Sequence, residues 1–175
     1  MQNNFKPCLA FVRHWEGGND DDPDDPGGRT SRGIEQCEYD AWCELHKIPG
    51  GDVWKAPDAT VDEIYLRSYW LPYCEVLPGG LDLVFFDVHV NEGQHEAVLF
   101  LQRALGVAVD GHFGIVTMAA VKRACVTSAD TKKLIVQMTV QRDAEYRSLR
   151  KFKKYGRGWL DRSKDCCEKA QGMAL

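Results

Sequence analysis

The sequence has no apolar run long enough for a secretory signal core or a membrane span. Its best run near the start, Cys8-Leu9-Ala10-Phe11-Val12, stops at Arg13-His14. A signal core needs about 7–15 apolar residues and a spanning helix about 20. The expectation is a chain made without a Sec-type address and not inserted in a membrane. Seven cysteines are present but no Cys-x-x-Cys pair, which argues against zinc ribbons and thioredoxin-like redox sites. Reduced thiols are expected in a reducing cytoplasm, the adjacent Cys166-Cys167 included, with structural disulfides the alternative for a protein acting outside the cell. The five histidines contain no His-Glu-x-x-His, so zinc hydrolase chemistry has no ligand pattern. Asp20, Asp22 and Asp24 occupy positions one, three and five of an EF-hand-like loop. Asp25 then stands where that loop needs glycine, and Ser31 where it needs glutamate. No metal or cofactor is expected, and there are no internal repeats.

What is there suits an ordinary folded domain. The chain has 175 residues, 44% of them hydrophobic and 27% charged, which excludes bulk disorder. That length buries a core without disulfides or metal. A net charge of -4 argues against a nucleic-acid partner. The total hides two poles. Residues 16–30 hold six acids against Arg29, and residues 147–164 hold eight bases against Asp161.

Apolar spacing predicts a mainly α chain with a small glycine-rich loop or β-hairpin lobe after the first helix. Phe5, Cys8, Leu9, Val12 and Trp15 recur at helical intervals, predicting a helix over 5–16 that Gly17-Gly18 ends. Residues 17–34 mix acids with Pro23, Pro26, Gly27, Gly28 and Gly33, which is turn chemistry. Helices are expected over 35–46, from a Thr60-Val61-Asp62-Glu63 capping box to about Trp70, and from 81 to about 90. Others are expected over 97–105, 115–124 and 131–150. Gly156-Arg157-Gly158 reads as an exposed loop beside Trp159.

The chemistry concentrates in Glu16-Gly17-Gly18…Pro23-Asp24-Asp25-Pro26-Gly27-Gly28-Arg29-Thr30-Ser31-Arg32-Gly33-Ile34. A helix C-terminus, where the backbone dipole opposes negative charge, suits a carboxyl that must arrive protonated. The loop adds a second carboxylate and a hydroxyl. Glycosidic cleavage needs one carboxyl to protonate the leaving oxygen and another to activate water or stabilise the cationic sugar. The glycines let backbone approach a bulky sugar.

This stretch resembles the signature of glycoside hydrolase family 108, lysozyme-like N-acetylmuramidases found as phage endolysins and related bacterial enzymes. Tyr65-Leu66-Arg67-Ser68-Tyr69-Trp70-Leu71-Pro72 and Phe86-Asp87-Val88-His89-Val90-Asn91-Glu92-Gly93 are similar to further family motifs. Leu101-Gln102-Arg103-Ala104-Leu105-Gly106 with Val109-Asp110-Gly111-His112-Phe113-Gly114 is similar to a peptidoglycan-binding-like half. Tyr146-Arg147-Ser148-Leu149 and Gly156-Arg157-Gly158-Trp159 resemble its closing motif. The resemblance implies a lysozyme-like helical fold and cleavage of the β-1,4 bond between N-acetylmuramic acid and N-acetylglucosamine in bacterial peptidoglycan. It implies Glu16 as catalytic acid, with Asp25 and Thr30 positioning water; the adjacent Asp24 is the alternative second carboxylate. Gly27, Gly28, Asn91, Tyr146, Arg157 and Trp159 are the expected substrate contacts. The chain is expected to divide into a catalytic part, 1–92, and a peptidoglycan-binding-like part, 93–175, packed as one monomeric unit. It would reach the wall through a holin-type pore, secretion or lysis. The alternatives are a non-catalytic peptidoglycan-binding module, or a related chitinase or lytic transglycosylase.

Overall fold

A computed structural model describes residues 4–21 and 29–174. Two compact units divide the chain after Ser68. One comprises residues 5–68; the other comprises residues 69–174 with Asn4.

In the first unit, α1 (Phe5–Glu16) buries Phe5, Cys8, Leu9, Phe11 and Val12 along one face. Gly17 follows at φ +76°, a left-handed position that ends the helix without a Cβ penalty. The expected lobe is a three-stranded antiparallel sheet of very short strands: β1 (Asn19–Asp20), β2 (Thr30–Ser31) and β3 (Ile34–Glu35). Ser31 pairs with Asn19 on one side and Ile34 on the other. Next come α2 (Gln36–His46), a 3-10 turn over Val53–Lys55, and α3 (Asp58–Ile64). The start of α3 corrects the capping-box expectation at Thr60. Pro57, at φ -59° and ψ 140°, sets the helix entry, and Thr60 already lies in the first turn with its amide on the Pro57 carbonyl. A π-helical turn over Tyr65–Trp70 carries the helix on.

In the second unit, a 3-10 turn over Cys74–Val76 leads to α4 (Leu81–Glu92). Residues 81–89 of α4 are all buried, Asp82, Asp87 and His89 among them, so its polar side chains need partners inside the fold. It packs among α5 (Gln94–Leu105), α7 (Ser128–Ser148) and α8 (Phe152–Met173). The short α6 (Ile115–Ala124) packs on α5 and α7. Gly106 closes α5 in a left-handed cap, as its position after Leu105 suggests. A capping box of Thr127 and Asp130 opens α7 at Ser128, three residues ahead of the expected start.

Helix α8 is a second correction. The 22-residue helix runs straight through Gly156-Arg157-Gly158, where an exposed loop was expected. Gly156 is buried because the Phe152 ring, one turn earlier, fills the space a Cβ would take. The glycine is there for packing, not for turning.

Candidate active site

Glu16 is the last residue of α1 and is half-buried. Its side chain lies against the β2–β3 hairpin. Arg32 and Gly33 form the two-residue turn, both with positive φ, 53° and 81°, the signature of the primed turns that match strand twist. Gly33 is required here twice over. Its φ is left-handed, and a Cβ would stand 2.9 Å from Glu16 Cγ, 3.1 Å from Glu16 Oε2 and against the Tyr65 hydroxyl.

The turn is fixed from several directions. The Arg32 amide donates to the Gly18 carbonyl at 3.0 Å, tying the hairpin to the residues just past the helix end. The Tyr65 hydroxyl donates to the Arg32 carbonyl at 2.7 Å. The Arg32 guanidinium donates to the Ala56 carbonyl at 2.8 Å and pairs with Asp58. Ser31, buried, donates to Asn19 Oδ1 at 2.7 Å. The Glu16 side chain thus packs on the glycine of a turn tied by backbone conformation and hydrogen bonds.

Thr30 sits on β2, half-buried, with its carbonyl accepting from Trp54 Nε1 at 3.0 Å. The Arg29 guanidinium stacks 4.5 Å over the Trp54 ring and pairs with Asp21 at 3.1 Å and Asp52 at 3.3 Å. These exposed pairs add little stability. Asp24, Asp25, Gly27 and Gly28 lie outside the described residues. Asp22 does as well, so the acidic EF-hand-like stretch is not described. Among the described residues no group of three or more His, Cys, Asp or Glu could hold a metal. No described helix is long and apolar enough to cross a membrane.

The second unit brings Asn91, Tyr146 and Trp159 together. Tyr146, an expected substrate contact, is buried at 3% exposure. Its hydroxyl donates to Glu92 Oε1 at 2.8 Å and accepts from Arg142 Nε at 2.8 Å and Asn91 Nδ2 at 3.0 Å. One donor and two acceptor positions are all used. The Trp159 ring packs 5.3 Å from Tyr146 and stacks 6.0 Å from Tyr155. Arg157 is 96% exposed at its side chain and makes only a loose pair with Asp161 at 3.9 Å.

Beneath these residues lies a charge cluster that sequence reasoning missed. Asp87, fully buried on α4, accepts from Arg142 NH1 at 2.6 Å and from Arg162 Nε and NH2 at 3.0 and 2.8 Å. Arg142 also reaches Glu92 at 2.7 Å. Burial alone would push the Asp87 carboxyl up, but the two guanidinium charges and their hydrogen bonds outweigh it and hold it below the usual range. For Glu92 burial prevails over Arg142 and Tyr146, and its carboxyl is raised. The available signal was an aspartate inside the apolar run Leu83-Val84-Phe85-Phe86-Asp87-Val88. A buried carboxylate there demands cationic partners from elsewhere in the chain.

Residues 9–93 match the family model described as Glycosyl hydrolase 108, and residues 96–164 match the one described as Predicted Peptidoglycan domain. The solved structure of Brucella abortus SagA is similar, with a TM-score of 0.83 and 30% sequence identity, covering 99% of this chain and 97% of that one. No curated protein matches the chain significantly. The mainly α architecture with its small hairpin lobe is lysozyme-like, as expected. The Asp87 cluster joins α4, from the first matched segment, to α7 and α8, from the second. This chain is a glycoside hydrolase acting on peptidoglycan, and it belongs to the glycosyl hydrolase 108 family.

Proposed function

We propose that the chain cleaves the β-1,4 bond between N-acetylmuramic acid and N-acetylglucosamine, with Glu16 as the general acid. The observation that carries this reading is the seat of Glu16. A carboxyl at the end of α1 rests on a glycine of a tightly tied hairpin, within the segment matched to a glycosyl hydrolase family. A general acid needs a fixed position beside the leaving oxygen, and this seat supplies one. Asp25, or Asp24 beside it, and Thr30 position a water for attack on the opposite face of the sugar, which inverts the anomeric centre. The place of action is the bacterial cell wall.

The test is Glu16→Gln on purified peptidoglycan. Removing the acid lowers the release of reducing ends by about 10²–10⁴-fold with the fold intact by circular dichroism. Clearing at the wild-type rate overturns the assignment. Mass spectrometry of the products distinguishes hydrolysis, which leaves reducing ends, from transglycosylation, which leaves anhydro ends.

A further inference from the structure

The ends of α5 and α6 and the first turns of α7 line an open cavity of about 330 Å³ that the proposed chemistry does not use. Its apolar lining is Leu105, Ala124 and Leu134, buried or half-buried. Its polar lining is exposed: Arg123, Asp130, Lys133 and Gln137. No aromatic side chain lines it.

The two cations are available. Arg147 and Arg157, also exposed in this unit, each have an acid one helical turn away, Asp143 and Asp161. Arg123 has Ala119 and Ala120 behind it and Thr127 ahead, so its own helix offers no acid. Lys133 has Asp130 one turn before it. That carboxylate is the only acid lining the cavity, and it is engaged by the Thr127 amide at 3.1 Å and hydroxyl at 2.7 Å in the capping box. Neither cation forms an ion pair with any described residue.

This composition points away from sugar. Saccharide sites stack neutral rings on aromatic side chains, and none is present. Small apolar walls with two free cations and an amide fit a short peptide with methyl side chains and free carboxylates. The stem peptides of peptidoglycan have that chemistry. We infer that this cavity binds the stem peptide, so that the second matched segment holds the peptide of a substrate whose glycan is cleaved elsewhere in the chain. The inference rests on peptidoglycan being the substrate.

The experiment uses the full chain and two probes, a synthetic stem tetrapeptide and a peptide-free N-acetylglucosamine tetramer, with affinity read by calorimetry. The double variant R123Q/K133Q changes exposed residues only. Losing two charge-assisted contacts weakens tetrapeptide binding by about tenfold or more. The same charge change at K6Q/K55Q leaves tetrapeptide binding as it was, which separates the cavity from diffuse attraction. With intact peptidoglycan R123Q/K133Q raises KM several-fold at constant kcat; with amidase-stripped glycan both constants hold. No tetrapeptide binding by the wild type, equal binding by R123Q/K133Q, or an equal loss in K6Q/K55Q overturns the inference. Weaker binding of the sugar tetramer by R123Q/K133Q overturns it too, in favour of a glycan subsite. A chain that binds tetrapeptide at this cavity but cleaves no glycan overturns the proposed function alone.

Discussion

Glu16 and Asp87 are both carboxylates within the segment matched to the hydrolase family, and they are held in opposite ways. Asp87 has no exposed surface and is clasped by two arginines from α7 and α8. Its charge is spent on joining helices. Glu16 is half-buried at a helix end, seated against a turn glycine that is fixed by backbone hydrogen bonds. A motif match treats the two alike. Burial and partners separate a carboxylate that holds helices together from the one we propose as the acid.

The largest effect that tests this contrast comes from Asp87→Asn. It removes the carboxylate that Arg142 and Arg162 share, leaving Arg142 on Glu92 alone among the acids of the clasp, which costs up to about 3–5 kcal/mol. Denaturant unfolding measures it, and Glu16→Gln on the same assay shifts stability by less than about 1 kcal/mol. The pH dependence follows from the direction of the shift. Asp87 is depressed in the folded state, so its stabilisation is present above the ordinary carboxylate value. It is lost as pH falls through the lower folded value, below about pH 4. Glu92, raised in the folded state, acts in the other direction, its penalty disappearing as pH falls. Asp87→Asn therefore flattens the acid loss of stability. An unchanged slope would mean that the clasp is not what acid breaks.

Gly33→Ala tests the other half of the contrast. The left-handed φ and the collision with Glu16 and Tyr65 impose a strain of about 1–3 kcal/mol. The informative readout is kinetic. If the turn seats the acid, kcat falls at least about tenfold while KM changes little. A variant that loses stability but keeps wild-type kcat makes Gly33 a structural residue only. Tyr65→Phe is milder. It removes the hydroxyl that donates to the Arg32 carbonyl, worth about 1 kcal/mol, and lowers kcat a few-fold in the same direction. An unchanged kcat would remove Tyr65 from the positioning set.

The same contrast marks what was legible in the sequence. The end of α1 was legible because five apolar residues keep helical spacing and glycine follows Glu16. The hairpin lobe was legible from its glycines and prolines. Helix α8 was not, because its buried face is Gly156, Arg162, Ser163, Cys166 and Ala170. Those residues keep helical spacing, but only Cys166 and Ala170 are apolar, and a search for apolar periodicity passes over such a face. Tyr146 looked like a sugar contact because aromatics are common in both cores and saccharide sites. Its three hydrogen-bond partners, contributed from α4 and α7, have no local signal in the sequence. Arg162 was counted as surface charge for the same reason. Its partner Asp87 is 75 residues away, and no local pattern announces it.

That correction alters the smallest expected effect, the one at the basic pole. Of the eight bases in residues 147–164, Arg162 is buried on Asp87 and seven remain exposed. Seven exposed bases against Asp161 still make a strongly positive stretch, and peptidoglycan-bearing walls are polyanionic. Surface charge of this kind acts on encounter rather than on bond cleavage. Reversing Lys151, Lys153 and Lys154 to glutamate should therefore slow lysis of intact wall a few-fold and leave hydrolysis of small soluble fragments near wild type. The gap should close as salt rises toward about 1 M, where the screening length falls to about 3 Å. Reversing Arg162 as well would confound the measurement, because that arginine belongs to the Asp87 clasp and its loss would unfold the unit. Equal losses on wall and fragments, or a gap insensitive to salt, would make the pole a solvated helix face with no part in substrate attraction.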